Sequence, residues 1–279
     1  FLPSGDHEVS SPVVSPDGAT VAFLSDRGGT PDIYVRALDG GAVRQITMNP
    51  GGTSAPLWSP DGSQILFESS RGGNTDLWAV SAAGGDVRQV TTHRVRDVGG
   101  VWSPDGQSLA FSSNREGGAS EIWVIPAEGG TARRLTTQGP ASGPRWSPDG
   151  QTLLFRSPAG AEAQDQIWQV PAAGGEPEQL TEDGYNARMA YAPDGQSIAY
   201  QRHDGVGFDL YVMPAAGGEG TQLTNGTGNE SAPNWSPDGT RVAFLADSAL
   251  HVVSADGDDA TRLSELTGNV LDFDWVPDG

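Results

Sequence analysis

Two arginines and a small set of polar and aromatic residues are the side chains of this sequence best suited to binding chemistry. Arg145 and Arg188 carry planar guanidiniums that can hold a carboxylate through paired hydrogen bonds. Asn234 and Asp274 can supply the polar counterpart, Tyr185 and Phe208 apolar contact, and Arg96 and Glu230 one further charge of each sign. These eight are the candidate binding residues. Catalytic groups are less well provided. A serine hydrolase needs a Gly-x-Ser-x-Gly elbow, and none occurs. The histidines, His7, His93, His203 and His251, fall in different parts of the chain. No His-Glu-x-x-His pair exists, and Asp256-Gly257-Asp258-Asp259 does not match a calcium loop. Without cysteine there is no thiolate ligand, disulfide or cysteine nucleophile. The expectation is no catalytic residue, no metal ligand and no cofactor.

What must position the candidates is a repeat. Trp58-Ser59-Pro60-Asp61-Gly62 returns around Val14, Trp102, Trp146, Tyr191, Trp235 and Trp275, in steps of 44 or 45 residues with a last step of 40. Within one copy, Ser-Pro-Asp-Gly has turn chemistry: proline presets φ, aspartate can bond its own backbone, and glycine accepts a positive φ. A short segment precedes the turn. Gln64 to Ser69, Asp76 to Val80 and Val87 to Thr91 read as three further strands. His251 takes the aromatic place of the third strand, whereas His93 and His203 fall in loops. Units of this length cannot bury both faces of a sheet alone, and stacking them radially solves the problem. The fold expected is all-β, a six-bladed β-propeller of four-stranded antiparallel blades. The alternative is seven blades with the last incomplete. One domain, 1–279, would hold repeats at about 9–47, 53–91, 97–136, 141–181, 186–224 and 230–264, with a partial copy at 270–279. On this reading the chain starts and ends inside a repeat.

A meander puts its first and third turns at one end. These are the uniform Ser-Pro-Asp-Gly and Gly-Gly turns. The second loop and the crossing to the next repeat lie at the other end, and these vary: 48–52, 92–99, 137–143, 182–187 and 225–230. Binding residues belong on the variable end. The first strand varies too. Before the Trp position the copies read Val13, Leu57, Val101, Arg145, Ala190, Asn234 and Asp274. Two places earlier, Arg188 stands where others have Ser11, Ala55, Gly99, Gly143, Ala232 and Asp272. Arg96 and Glu230 begin their segments near the channel mouth. Departures cluster in repeats four to six, and repeat four replaces Ser-x-Arg-Gly-Gly by Ser157-Pro158-Ala159-Gly160.

Charge narrows the partners. Formal net charge is −20, and all 16 basic residues are arginine. So acidic a surface repels phosphate backbones, which speaks against nucleic acid, and it favours solubility. No apolar run reaches the length of a membrane span, so no direct membrane insertion is expected.

Trp-Ser-Pro-Asp-Gly, an Ile-Ala-Phe-like strand, Ser-x-Arg-x-Gly, Asp-Ile-Tyr-Val, Gly-Gly and Leu-Thr, repeated in register over nearly the whole chain, resemble the WD40-like propeller repeat of the TolB-like family. Similar repeats occur in propeller domains of prolyl-oligopeptidase-type peptidases. The resemblance implies a non-enzymatic, monomeric, protein- or peptide-binding module. It implies a periplasmic or extracellular setting and an envelope-lipoprotein-like partner at the channel mouth. The family's N-terminal α/β domain has no counterpart in these residues. Two alternatives stand beside this one: a regulatory or substrate-gating propeller of a serine peptidase or other multidomain enzyme, and a propeller lyase or other sugar-active enzyme.

Overall fold

The computed structural model describes residues 8–48, 52–54, 56–160, 162–203, 205–226, 229–257, 260–263 and 273–276. His7, Ala55, Asp258, Asp259, Asp272 and the last turn, Pro277-Asp278-Gly279, lie outside them. The chain is an all-β, six-bladed propeller, with six four-stranded antiparallel sheets whose strands pair in chain order. Blade 1, for example, comprises Val9–Val14, Thr20–Ser25, Asp32–Ala37 and Arg44–Gln45. Blades 1 to 3 belong to one compact unit, reaching Arg134 and including 272–278. Blades 4 to 6 belong to a second, Leu135–Leu271. Among the described residues no helix is long and apolar enough to cross a membrane.

Within each unit neighbouring blades share a core. Ala22, Leu24, Ile33 and Val35 of blade 1 pack with Trp58, Ile65, Phe67 and Val80 of blade 2. Blades 5 and 6 meet in the same way through Leu210, Leu223, Trp235, Val242 and Phe244. Three of the tryptophans that precede the turns add a directed contact. The indole N–H of Trp58 donates to the Val13 carbonyl (3.1 Å), that of Trp102 to Leu57 (3.3 Å) and that of Trp235 to Ala190 (3.1 Å). Each acceptor belongs to the residue just before the equivalent position one blade back. Tyr191 replaces tryptophan in blade 5 and reaches Thr152 Oγ1 instead, at 3.0 Å.

The turns obey their sequence. In blade 2 the Ser59 hydroxyl donates to Asp61 Oδ1 (2.6 Å), the Gln64 N–H donates to Ser59 Oγ, and the Ser63 N–H donates to Asp61 Oδ1. Gly62 has φ of +69°, which favours glycine. The third turn meets this one: the Ala82 N–H donates to the Ser63 carbonyl. The uniform turns therefore share one end of the blade, and the variable segments share the other. At that other end the strands are tied by a buried threonine. Thr91 Oγ1 accepts the Leu77 N–H and donates to Asp76; Thr47 and Thr224 repeat this with Ile33 and Asp32, and with Leu210 and Asp209. The aspartates before the third strand are thus structural.

The serine hydroxyl, aided by the backbone and side chain of Ser63, holds the Asp61 carboxyl down at about 2. A group depressed in the folded state contributes stability above its unfolded value of 3.8, and that contribution is lost as pH falls through about 2. Ser59→Ala removes the largest cause, so the Asp61 titration should move up toward 3.8 in a carboxyl carbon NMR experiment. An unmoved midpoint would show that the amide and hydroxyl of Ser63 hold the charge without Ser59.

Candidate functional site

Arg145, Tyr185, Arg188 and Asn234 lie on first strands, and the first strands of blades 1, 3, 4, 5 and 6 carry the same irregularity. Their register against the second strand shifts by one residue, between Ser10 and Val13, Ala187 and Ala190, or Ser231 and Asn234, for instance. At the shift sits a left-handed residue three places before the Trp position: Ser11 (φ +52°), Gly99 (+67°), Gly143 (+63°), Arg188 (+47°) and Ala232 (+54°). This is a β-bulge. The odd arginine of blade 5 thus stands at a special backbone position, with its side chain exposed.

The second unit brings four of the candidates, Arg145, Arg188, Tyr185 and Phe208, into one region. Arg145 pairs with Leu154 in the second strand of blade 4, two residues from Arg156 and on the same face. One Nη of Arg145 donates to its neighbouring Pro144 carbonyl (2.9 Å). Its side chain keeps open surface, yet protein encloses it on enough sides to matter. That desolvation, followed by the like charges of Arg188 and Arg156, draws its pKa below the ordinary arginine value. Among the described residues neither Arg145 nor Arg188 forms an ion pair with a carboxylate. Arg156 does: it meets Asp165 at 3.1 Å and the Tyr185 hydroxyl at 3.4 Å. Tyr185 packs edge-on against Phe208 (5.9 Å, 75°), and Phe208 against His203 (4.9 Å, 77°). His203 is therefore not a solvated loop residue. It ends the strand Ser197–His203 and pairs with both Tyr185 and Phe208.

The other candidates separate from this group. Asn234 holds the equivalent of the Arg145 position in blade 6, half-buried. Glu230 is 4% exposed and turned inward. Simple alternation would place it on the face of Asn234, but the bulge between them reverses the parity and puts it on the buried face of Trp235. In the first unit Arg96 is exposed, and its charge acts on Glu68, whose carboxylate accepts the Gly99 N–H at 2.6 Å. Asp274 accepts the Val14 N–H through one oxygen and the Trp275 N–H through the other, both at 2.9 Å. Its role is to cap the first strand of blade 1. Arg156, Asp165 and His203 were not among the candidates. Arg156 could have been found by comparing repeats along the second strand, where Leu24, Glu68 and Ser112 hold its place.

A sequence model described as the TolB beta propeller domain matches residues 3–103 and 97–279. The chain belongs to that family. Among solved structures it is similar to a putative TolB from Agrobacterium tumefaciens, at 27% identity and a TM-score of 0.69, covering 85% of this chain and 91% of that one. TolB from Acinetobacter baumannii is 23% identical with a TM-score of 0.68, over 90% of this chain and 65% of that one. An oligogalacturonate lyase from Vibrio parahaemolyticus shares the fold at 16% identity and a TM-score of 0.74, over 92% and 79%. This TolB propeller fold thus occurs in enzymes as well.

The Glu230 carboxyl sits beside Asp209, with Asp247 farther off. Burial first, and then the Asp209 charge, push it up to about 7 from an ordinary 4.5. Between those values the folded state keeps a proton that the unfolded chain has lost. The stability from this group is therefore complete below about pH 4.5 and disappears as pH rises through 7. Glu230→Gln, neutral and nearly isosteric, should raise the thermal midpoint at pH 8 and leave it almost unchanged at pH 5. An equal shift at both pH values would exclude the carboxylate pair as its source.

Proposed function

We propose that this TolB-family propeller is a non-enzymatic binding module that docks a protein or peptide at the variable ends of blades 4 and 5. Arg145 and Arg188 take carboxylates of the partner, and the Tyr185–Phe208–His203 cluster gives apolar contact beside them. The observation that carries this reading is electrostatic. In a chain of net charge −20, the guanidiniums of Arg188 and Arg156 lie close enough to Arg145 to add to the burial that disfavours its charge. Two of the three lack a carboxylate partner among the described residues. Like charges gathered at a cost to stability fit a ligand that supplies the opposite charge. The resemblance to TolB supports reading the setting as periplasmic or extracellular, the partner as envelope-lipoprotein-like and the module as a monomer. Asn234 extends the same strand position into blade 6.

The test is calorimetric titration with a peptide bearing adjacent carboxylates. Arg145→Ala with Arg188→Ala should weaken binding at least tenfold, since a charge-assisted hydrogen bond contributes roughly 1.5–3 kcal/mol. Added salt should weaken the wild type more than the double variant. Unchanged affinity in the double variant would overturn the assignment. The same guanidiniums would also suit a polyuronate, so turnover of oligogalacturonate would favour an enzymatic reading over the binding one.

A further inference from the structure

Blades 1 to 3 each hold an arginine of their own on an aromatic floor. In each, a phenylalanine of the second strand pairs across to an aromatic of the third: Phe23 with Tyr34, Phe67 with Trp78, Phe111 with Trp123. Arg27, Arg71 and Arg115, each four residues after that phenylalanine, fold back over both rings. Their guanidinium carbons stand 4.9, 5.1 and 4.9 Å from the Tyr34, Trp78 and Trp123 rings. Their Nε atoms point at the hydroxyls of Ser25, Ser69 and Ser113, at 3.3 to 3.4 Å. The arrangement common to the three is a cation–π site with a serine hydroxyl beside the guanidinium, to which blade 3 adds the Arg115–Asp97 ion pair at 2.8 Å.

Blade 4 has the floor and the hydroxyl without the arginine. Phe155 and Trp168 pair and stack at 6.4 Å and 24°. Ser157 follows in the place of the three serines, and Ala159 stands where the arginine would be. The strands run on as an extended hairpin to the Ala159–Gln164 pair, so among the described residues no arginine of this hairpin folds back over the rings. A cavity of about 230 Å³ remains, lined by Phe155, Trp168, Ser157, Pro158, Ala159 and Gln179. Gln138, also on its wall, donates to Glu176 and so brings a carboxylate to the rim.

We propose that this cavity is a receptor for the side chain of an arginine presented by a partner protein or peptide. Three blades of the same chain show which group the floor accommodates, and the acidic surface attracts a basic segment. A planar guanidinium can cover both rings while its Nε–H reaches Ser157, which a compact ammonium cannot do. This site is independent of the carboxylate-binding reading above, since it uses none of the residues named there.

The probe is the peptide acetyl-Gly-Gly-Arg-Gly-Gly-amide, with citrulline and lysine versions as neutral and ammonium controls. It is titrated to several millimolar into the full chain and followed by the indole N–H resonance of Trp168, which donates to the Ser157 carbonyl. The arginine peptide should shift that resonance saturably, and both controls should bind at least about tenfold more weakly. Ala159→Arg should rebuild the arrangement of blades 1 to 3, abolish binding and leave the thermal midpoint no lower. Ser157→Ala with Trp168→Leu, checked for folding by amide dispersion, should also lose binding, here read by calorimetry. Arg145→Ala with Arg188→Ala should retain it, whatever that variant does to a carboxylate ligand. No saturable shift with arginine, equal binding of the citrulline peptide, or full binding by folded Ala159→Arg would each overturn the proposal. Stronger binding of tetramethylammonium than of the arginine peptide would do so too, by making the cavity a general cation cage.

Discussion

The interaction on which most else depends is the hydrogen bond from an indole N–H to a carbonyl one repeat back. Apolar packing would hold two sheets together at many relative positions, because burial is roughly proportional to area and has no direction. The Trp58–Val13, Trp102–Leu57 and Trp235–Ala190 bonds select one. They also hold the first strand by its main chain at the residue just before the Trp position. The main chain there carries the contact between blades whatever the side chain, and that is the position at which Arg145 and Asn234 depart from the pattern.

The architecture was legible because each repeat marks its own turns. Serine, proline, aspartate and glycine at fixed offsets each do a local job, and their recurrence reports the number of blades without reference to distant contacts. The candidate region was legible only in part. Departures between copies single out Arg145, Arg188, Tyr185 and Phe208, which the structure groups in the second unit. They misjudged Glu230 because a bulge reverses the alternation of a strand, and its left-handed residue can be serine, alanine or arginine as well as glycine. Arg156 is hidden because it stands on a second strand, within a run that otherwise keeps the apolar pattern of the repeat. His203 escaped because the strands of blade 5 run past the length typical of the others.

Polar burial follows the same repeat and sharpens the contrast between blades. Five places before the Trp position stand Asp97, Asn186 and Glu230, each fully or almost fully buried and each with one side-chain oxygen that meets no donor. Blade 3 answers Asp97 with Arg115, at 2.8 Å. Blade 5 uses amides, with Asn186 donating to Gln166 at 2.8 Å. Blade 6 sets Glu230 against another carboxyl and lets a proton stand in for the missing cation. One position thus receives three solutions to a single desolvation problem.

The left-handed residue in the first strands of blades 1, 3, 4, 5 and 6 has a consequence for how such a protein can change. A non-glycine residue in that conformation costs about 1–2 kcal/mol, yet the backbone adopts it with serine, glycine, arginine or alanine alike. The conformation is imposed by the sheet around it and not chosen by the side chain. Each such blade therefore carries a ready mount, where the identity of the residue is decoupled from folding. Mutation can sample those mounts one blade at a time, and new specificity can be tried without rebuilding the scaffold beneath it.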